Sequence, residues 1–313
     1  MIVELPDTTV SKIARSLVKV REEGGAVALG RVLTLVIVTR YGLQEDAIEA
    51  ANDASREHPM RVIVLISDPE GDARLDAQIR VGGEAGASEV VVLHAHGDAA
   101  SNPESIVTGL LLPDAPVVAW WPDLPPEVPA AAPIGRIAKR RITDASTKPY
   151  ASDRLSQLAP CYAPGDTDLA WTRLTHWREQ LAAVLDQPPF EPVLAVEVVG
   201  AGSSPSTGLL AAWLRLKLDV PVDWHYSRRE EWSHGIQRVR LTRASGDIIL
   251  ERHSESDATL SQPGQPAHDI VLPRRTLREC LAEELRRLDP DVLYGRVITQ
   301  GWELLGPARA NKS

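Results

Sequence analysis

The stretch Val32-Leu33-Thr34-Leu35-Val36-Ile37-Val38-Thr39 is apolar at almost every position, odd and even alike. Successive side chains of a strand point to opposite faces, so such a run describes a strand covered on both sides, as at the centre of a parallel sheet. Upstream, Asp7-Thr8-Thr9 supplies capping side chains before Val10, Ile13, Ala14, Leu17, Val18 and Val20, an amphipathic helical spacing that closes near Gly24-Gly25. Downstream, the pattern predicts a helix over 44–56 and a strand over 61–66 that ends in the turn formers Asp68-Pro69-Glu70-Gly71. Further buried strands are predicted over 89–93 and 116–120, with a short helix over 103–111. Residues 75–81 alternate polar and apolar, which predicts a partly exposed edge strand. Strands alternating with helices imply right-handed crossovers and an α/β domain built on a mostly parallel, helix-covered sheet. Ligand or partner sites belong at the carboxyl ends of those strands, where the connecting loops gather.

After the fourth strand, "PDLPPEVPAAAP" over 122–133 carries five prolines and reads as an extended loop, with a return to helix over 134–141. Leu169, Trp171, Leu174, Trp177, Leu181, Val184 and Leu185 recur at helical spacing and predict one long helix over 168–186. "QPPFEP" over 187–192 is stiff and extended and marks the expected boundary. It divides an N-terminal domain (1–187) from a smaller α+β C-terminal domain (188–305), with a frayed tail over 306–313. The second part reads as strand, helix and strand over 193–226, a hairpin across Ser245-Gly246, short strands near Thr259 and Ile270, and a helix over 276–288. A last helix starts at Asp289-Pro290.

The formal net charge of −9 argues against a surface that tracks nucleic-acid phosphates. No unbroken apolar run reaches about 18 residues and no signal core is present, so a soluble cytoplasmic protein without a membrane partner is expected. Cys161 and Cys280 are the only cysteines and stand far apart, which excludes a disulfide framework and leaves two reduced structural thiols.

Three constellations bear on chemistry. His94-Ala95-His96-Gly97-Asp98 has a spacing that can gather imidazoles and a carboxylate around zinc, and so a metal-dependent hydrolase. Ala99 stands where the metallo-β-lactamase signature needs a histidine, and a strand end with satisfied imidazoles explains the same residues. Residues 200–208, "GAGSSPSTG", join a strand to a helix where backbone N–H groups could cradle the phosphate of a sensed sugar phosphate. The loop lacks the Lys of a Walker motif and has Pro205 where a dinucleotide fingerprint needs Gly, and Ser206 or Thr207 as an ordinary cap explains it equally. No Gly-x-Ser-x-Gly elbow is present, and the paired carboxylates Glu230-Glu231 and Glu283-Glu284 read as solvated faces. Neither a catalytic group nor a cofactor or metal site is therefore assigned.

The third constellation is Trp120-Trp121 followed by Arg140-Arg141-Ile142-Thr143-Asp144. Adjacent strand residues face opposite ways, so at least one Trp is expected at the carboxyl-end loops. Aromatic rings and guanidiniums are also the side chains most enriched in interface hot spots. Trp120, Trp121, Arg140, Arg141 and Asp144 are the candidate partner-binding residues. The alternative has one Trp in the core, the other under the proline loop, and Arg141 paired with Asp144.

Several stretches, in order, resemble the glucose-6-phosphate dehydrogenase assembly proteins of the OpcA family: "LPDTTVSKIARSL", "RVLTLVIV", "LLLPDAPVVAWWP", "RRITDAS", "LAAWLRLKLDVPV", "LSQPGQPAHDIVLPRRTL" and "LAEELRRLDPDVLY". The resemblance runs from Leu5 to Tyr294. It implies a cytoplasmic, non-catalytic protein that binds glucose-6-phosphate dehydrogenase, favours its active oligomer and controls entry into the oxidative pentose phosphate pathway and NADPH supply. Family members linked to thioredoxin control act through cysteines, of which this chain has two. The sequence leaves self-association open.

Overall fold

The computed structural model describes residues 1–23, 30–82, 89–147, 151–202, 204–227 and 235–306. Gly24-Gly25, Ser203, Glu230-Glu231, His234 and the tail beyond Gly306 lie outside the described residues. The chain divides into two compact units, each assembled from non-contiguous stretches. The first holds Met1–Asp144, Gly165–Thr167 and Leu277–Pro290; the second holds Ala145–Pro164, Asp168–Thr276 and Asp291–Ser313.

The first unit is built on β1 (Ile2–Leu5), α1 (Val10–Glu23), β2 (Leu33–Thr39), α2 (Gln44–Ala54), β3 (Met60–Asp68), β4 (Arg74–Val81) and β5 (Glu89–His96). It continues with α3 (Pro103–Thr108), β6 (Val117–Trp121), α4 (Pro133–Ile137), β7 (Arg140–Thr143) and β8 (Asp166–Asp168). The eight strands lie in the order β1-β4-β5-β3-β2-β6-β7-β8. β5, β3, β2, β6 and β7 run parallel, whereas β4 and β1 are antiparallel additions. The decisive run Leu33–Thr39 sits at the middle, paired on both sides and buried over most of its length.

Two expectations need correction here. The alternating strand β4 is not an edge, because β1 pairs with it in register Ile2↔Arg80 to Leu5↔Ala77. Four residues are too few to announce a strand. Nor do residues 134–141 form one helix. Helix α4 stops at Ile137 and Arg140–Thr143 becomes β7, pairing with β6 in register Val118↔Arg140 to Trp121↔Thr143.

At the amino ends of the parallel strands, Glu89 is fully buried and gathers Arg21, Arg31 and Arg61 at 3.0–3.3 Å. Burial is the main influence on Arg61 and pushes its pKa down, which Glu89 partly opposes. A carboxylate with three guanidiniums is one way a charge survives in an apolar interior.

The second unit carries α5 (Ala151–Leu158), α6 (Leu169–Thr172), α7 (Thr175–Leu185), β9 (Ala195–Gly200), α8 (Pro205–Leu218) and β10 (Val222–Tyr226). β11 (Ile236–Arg243), β12 (Gly246–Arg252), β13 (Asp257–Ser261) and β14 (His268–Val271) follow. The order is β10-β9-β11-β12-β13-β14, antiparallel except for β10 with β9. The expected long helix over 168–186 is two, α6 and α7, broken at Arg173-Leu174. Asp168 caps the first by accepting from Ala170 N at 2.9 Å. Trp171, Trp177, Trp213 and Trp224 fill one core with Leu209, Val239 and Leu250, which accounts for a composition rich in Trp and poor in Phe.

Helix α9 (Leu277–Arg286) belongs to the first unit, where it packs on α2. Arg286 pairs with Glu57 at 2.9 Å and Arg278 with Asp53 at 3.6 Å. The chain then returns to the second unit through α10 (Val292–Arg296), a π-helical turn over Val297–Gly301 and α11 (Trp302–Leu305). Cys161 and Cys280 are free thiols.

Candidate functional site

The carboxyl ends of β2 and β6 are neighbours, since Ile37 pairs with Trp120. The loops that leave them are tied by Arg40 and Asp123, whose carboxylate accepts from Arg40 Nε. That hydrogen bond, with the charge of Asp123, raises the Arg40 pKa.

Of the five sequence-predicted partner residues, Trp120, Trp121 and Asp144 lie at the carboxyl ends of β6 and β7, whereas Arg140 and Arg141 open β7 beside Val118 and Ala119; all five are buried. Trp121 packs with Ile13, Leu17 and Val36 on one face of the sheet. Trp120 lies on the opposite face, fully enclosed, with its Nε1 lacking a hydrogen-bond partner. Neither ring faces the loops. β6 has a strand on each side and is buried at all five positions, so both parities of its side chains are interior. Arg140 donates from Nε to Glu284 at 3.0 Å and from an Nη to the Asp289 carbonyl at 2.8 Å. Arg141 pairs with Asp166 and also donates to the Ala138 carbonyl at 3.1 Å. Its carboxylate partner is Asp166 from β8, a residue 25 positions away that spacing could not reveal. Asp144 is 1% exposed.

The proline loop packs against α4. Pro125 and Pro129 are buried, and the Pro129 carbonyl lies so close to Gly135 that a Cβ there would sit 1.7 Å away. Large apolar side chains are exposed on these loops, Leu124 and Val128 from the proline loop and Tyr41 and Leu43 from the loop after β2, together with the charged Arg40 and Glu127. Tyr41 is 80% exposed, with its ring edge against His94 at 5.8 Å between centroids. Sequence reasoning pointed to Trp120, Trp121 and Asp144 at this end of the sheet without foreseeing that their side chains are interior.

His94 and His96 lie within β5, not beyond its end. The two nitrogens of His96 each face a carboxylate at 3.6 Å, Nδ1 towards Asp68 and Nε2 towards Asp76. His94 has its pKa lowered, chiefly by burial and then by the charge of His96, against Asp76 and Glu4. Asp98 sits in the following 3-10 turn, Gly97–Ser101. Among the described residues no group of three or more His, Cys, Asp or Glu is arranged to hold a metal ion.

The glycine-serine loop over 200–208 meets a different environment. In the second unit a cleft of about 580 Å³ opens at the amino end of α8, bordered by Ser204 and Ser206. Among the described residues, four arginines line it, Arg173, Arg252, Arg274 and Arg275, with one carboxylate, Glu255. Leu174, Trp177, Ile236 and Pro273 supply apolar wall.

Two family models match the chain. Residues 51–160 match the OpcA assembly model, described as the glucose-6-phosphate dehydrogenase subunit N-terminal domain. Residues 164–298 match that subunit's C-terminal domain. A search of curated proteins returned no match. Among solved structures, an oxidoreductase from Sinorhizobium meliloti aligns at TM-score 0.50 and 12% identity, covering 87% of this chain and 95% of the other. A glucose-6-phosphate 1-dehydrogenase from Mycobacterium avium aligns at 0.47 and 12%, covering 88% and 91%. At such identity the likeness to the Sinorhizobium protein is one of fold. No described helix is long and apolar enough to cross a membrane. With both domain models matched in order along one sequence, the chain belongs to the OpcA family of glucose-6-phosphate dehydrogenase assembly proteins.

Proposed function

We propose that this protein binds glucose-6-phosphate dehydrogenase in the cytoplasm and, without chemistry of its own, favours the enzyme's active assembly. It thereby regulates the oxidative pentose phosphate pathway and NADPH supply. The observation that carries the reading is the succession of two domain models described as parts of a glucose-6-phosphate dehydrogenase subunit. The mechanism is linkage: a protein that binds the active assembly better than the inactive one shifts the population by its difference in affinity, and equal affinity for both shifts nothing.

The contact surface includes the apolar rim of Tyr41, Leu43, Leu124 and Val128, exposed at the strand ends where an α/β sheet presents its loops. Trp120, Trp121, Arg140, Arg141 and Asp144 support that surface from within, by holding β6, β7 and the proline loop in place. The test is a titration of the protein into the dehydrogenase of the same organism, with NADPH formation and light-scattering mass recorded together. A saturable rate increase with a co-eluting complex is expected. A normal rate with no complex well into the micromolar range would overturn the proposal.

A further inference from the structure

The cleft at the amino end of α8 is the feature that the dehydrogenase partnership leaves unused. Helix α8 is 14 residues long, with Pro205 in its first turn, no acidic residue there, and every residue from Pro205 to Leu214 buried. Ser204 occupies the N-cap position in extended conformation, yet its side chain makes no capping hydrogen bond. The Ser206 hydroxyl is turned away, donating to the Ala170 carbonyl at 2.9 Å. A helix start of this kind carries partial positive charge and backbone donors that a side chain normally answers.

The independent observation is Arg252. This residue of β12 is 3% exposed, lines the cleft, and donates from one Nη to the Leu272 carbonyl at 2.6 Å while its Nε has no partner among the described residues. Its guanidinium carbon lies 5.3 Å from the centroid of Trp177. Burial, and then the neighbouring charge of Arg274, lowers its pKa to about 10, with Glu255 opposing, so it remains protonated at neutral pH. A buried guanidinium beside like charges is unfavourable unless an anion joins it. Glu255, at the exposed rim, is already paired with Arg274 at 2.7 Å. Arg173 is held by Ser146 Oγ at 2.7 Å and Arg275 by the Thr172 carbonyl at 2.9 Å, so the cations are positioned before any ligand arrives.

From this geometry we infer that the cleft is a binding site for a small phosphate monoester, its phosphate held by Arg252 and Arg173 at the amino end of α8 and its organic body against Trp177 and Ile236. Among the described residues, four guanidiniums with one carboxylate match a phosphate, which carries about −1.5 to −2 at neutral pH, better than a lone carboxylate. The volume falls within the range of small-molecule sites, roughly 300–1,000 Å³. The inference stands apart from the dehydrogenase partnership, because binding is read on this chain alone.

The experiment is thermal unfolding and calorimetric titration of the full chain with inorganic phosphate, glucose 6-phosphate and glucose. A saturable rise of about 2–4 °C is expected near a hundredfold excess over Kd for the phosphate-bearing probes, and none with glucose. Arg252→Gln and the half-buried Arg173→Gln should each weaken binding at least tenfold. Absence of a saturable response to both phosphate probes in the millimolar range overturns the inference, and so does unchanged binding in both variants. If Arg252→Gln fails to fold, Arg173→Gln alone decides between these outcomes.

Discussion

Glu284→Leu tests whether Arg140 is an interior anchor or a contact residue. The Arg140 and Glu284 side chains are 4% and 5% exposed, and they join β7 to α9 across 144 residues of sequence. Removing the carboxylate leaves the guanidinium buried with the Asp289 carbonyl as its remaining acceptor among the described residues. Breaking one side of such a pair costs about 3–5 kcal/mol, most of it the penalty of the stranded charge. Removing that charge as well, in Arg140→Met/Glu284→Leu, should recover most of the loss. The Asp289 hydrogen bond stays lost at about 1 kcal/mol, while relief of two desolvated ions returns about 1–4 kcal/mol. The double variant should therefore lie between wild-type stability and about 3 kcal/mol above it. Urea unfolding followed by hydrogen–deuterium exchange across β6, β7 and α9 reads the unit that contains the pair. A cost below about 1 kcal/mol for Glu284→Leu, or a double variant no better than the single, would refute the reasoning. A double variant of native stability that no longer activates the dehydrogenase would return Arg140 to the interface.

Tyr41→Ala and Leu124→Asp should each weaken binding of the dehydrogenase by about tenfold, with stability changed by no more than about 0.5 kcal/mol; unchanged affinity in both removes the rim from the interface. Gly135→Ala forces the Pro129 carbonyl away from a Cβ that would stand 1.7 Å from it. It should lower stability by about 1–3 kcal/mol, and an unshifted urea midpoint would show that the proline loop is not packed as described. His94 has a lowered pKa in the folded state, chiefly from burial. The unfolded chain therefore takes up the proton first, so stability falls as pH drops below about 6.5. His94→Gln should flatten that part of the profile, and an unchanged slope between pH 7 and 5 would contradict the assignment.

The parallel sheet was legible because its strands are buried on both faces and carry that fact in uninterrupted apolar runs. The runs over 32–39, 61–66 and 89–93 announce themselves this way and fall at the strands Leu33–Thr39, Met60–Asp68 and Glu89–His96. The strands that went unread are those whose partners rather than their composition make them strands. Ile2–Leu5 is four residues long, and Arg140–Thr143 begins with two arginines. A charged pair inside a strand looks like a surface until its counter-charges are known, and Asp166 and Glu284 come from 25 and 144 residues away. The same blindness placed one of Trp120 and Trp121 at the loops, where the structure buries both. Alternation correctly sends them to opposite faces, but only topology shows that helices and strands enclose both.

The arginine cleft extends this reasoning to a site. Residues 200–208 offered a weak phosphate signal because the motif carries no cation of its own, and a serine at a helix start is most simply a cap. The cations come from three other places: the α6–α7 junction (Arg173), the end of β12 (Arg252), and the stretch before α9 (Arg274 and Arg275). A net charge of −9 hides them further, since it describes the whole chain and not one cleft. In the first unit, buried guanidiniums meet carboxylates, Arg61 with Glu89, Arg140 with Glu284 and Arg141 with Asp166. Arg252 is buried to a similar degree beside like charges, with the Leu272 carbonyl as its acceptor and an Nε without a partner among the described residues. A chain with 43 acidic residues had many ways to place a carboxylate there. With no carboxylate bonded to Arg252 among the described residues, the cleft keeps its strongest attraction for an anion that comes from solution.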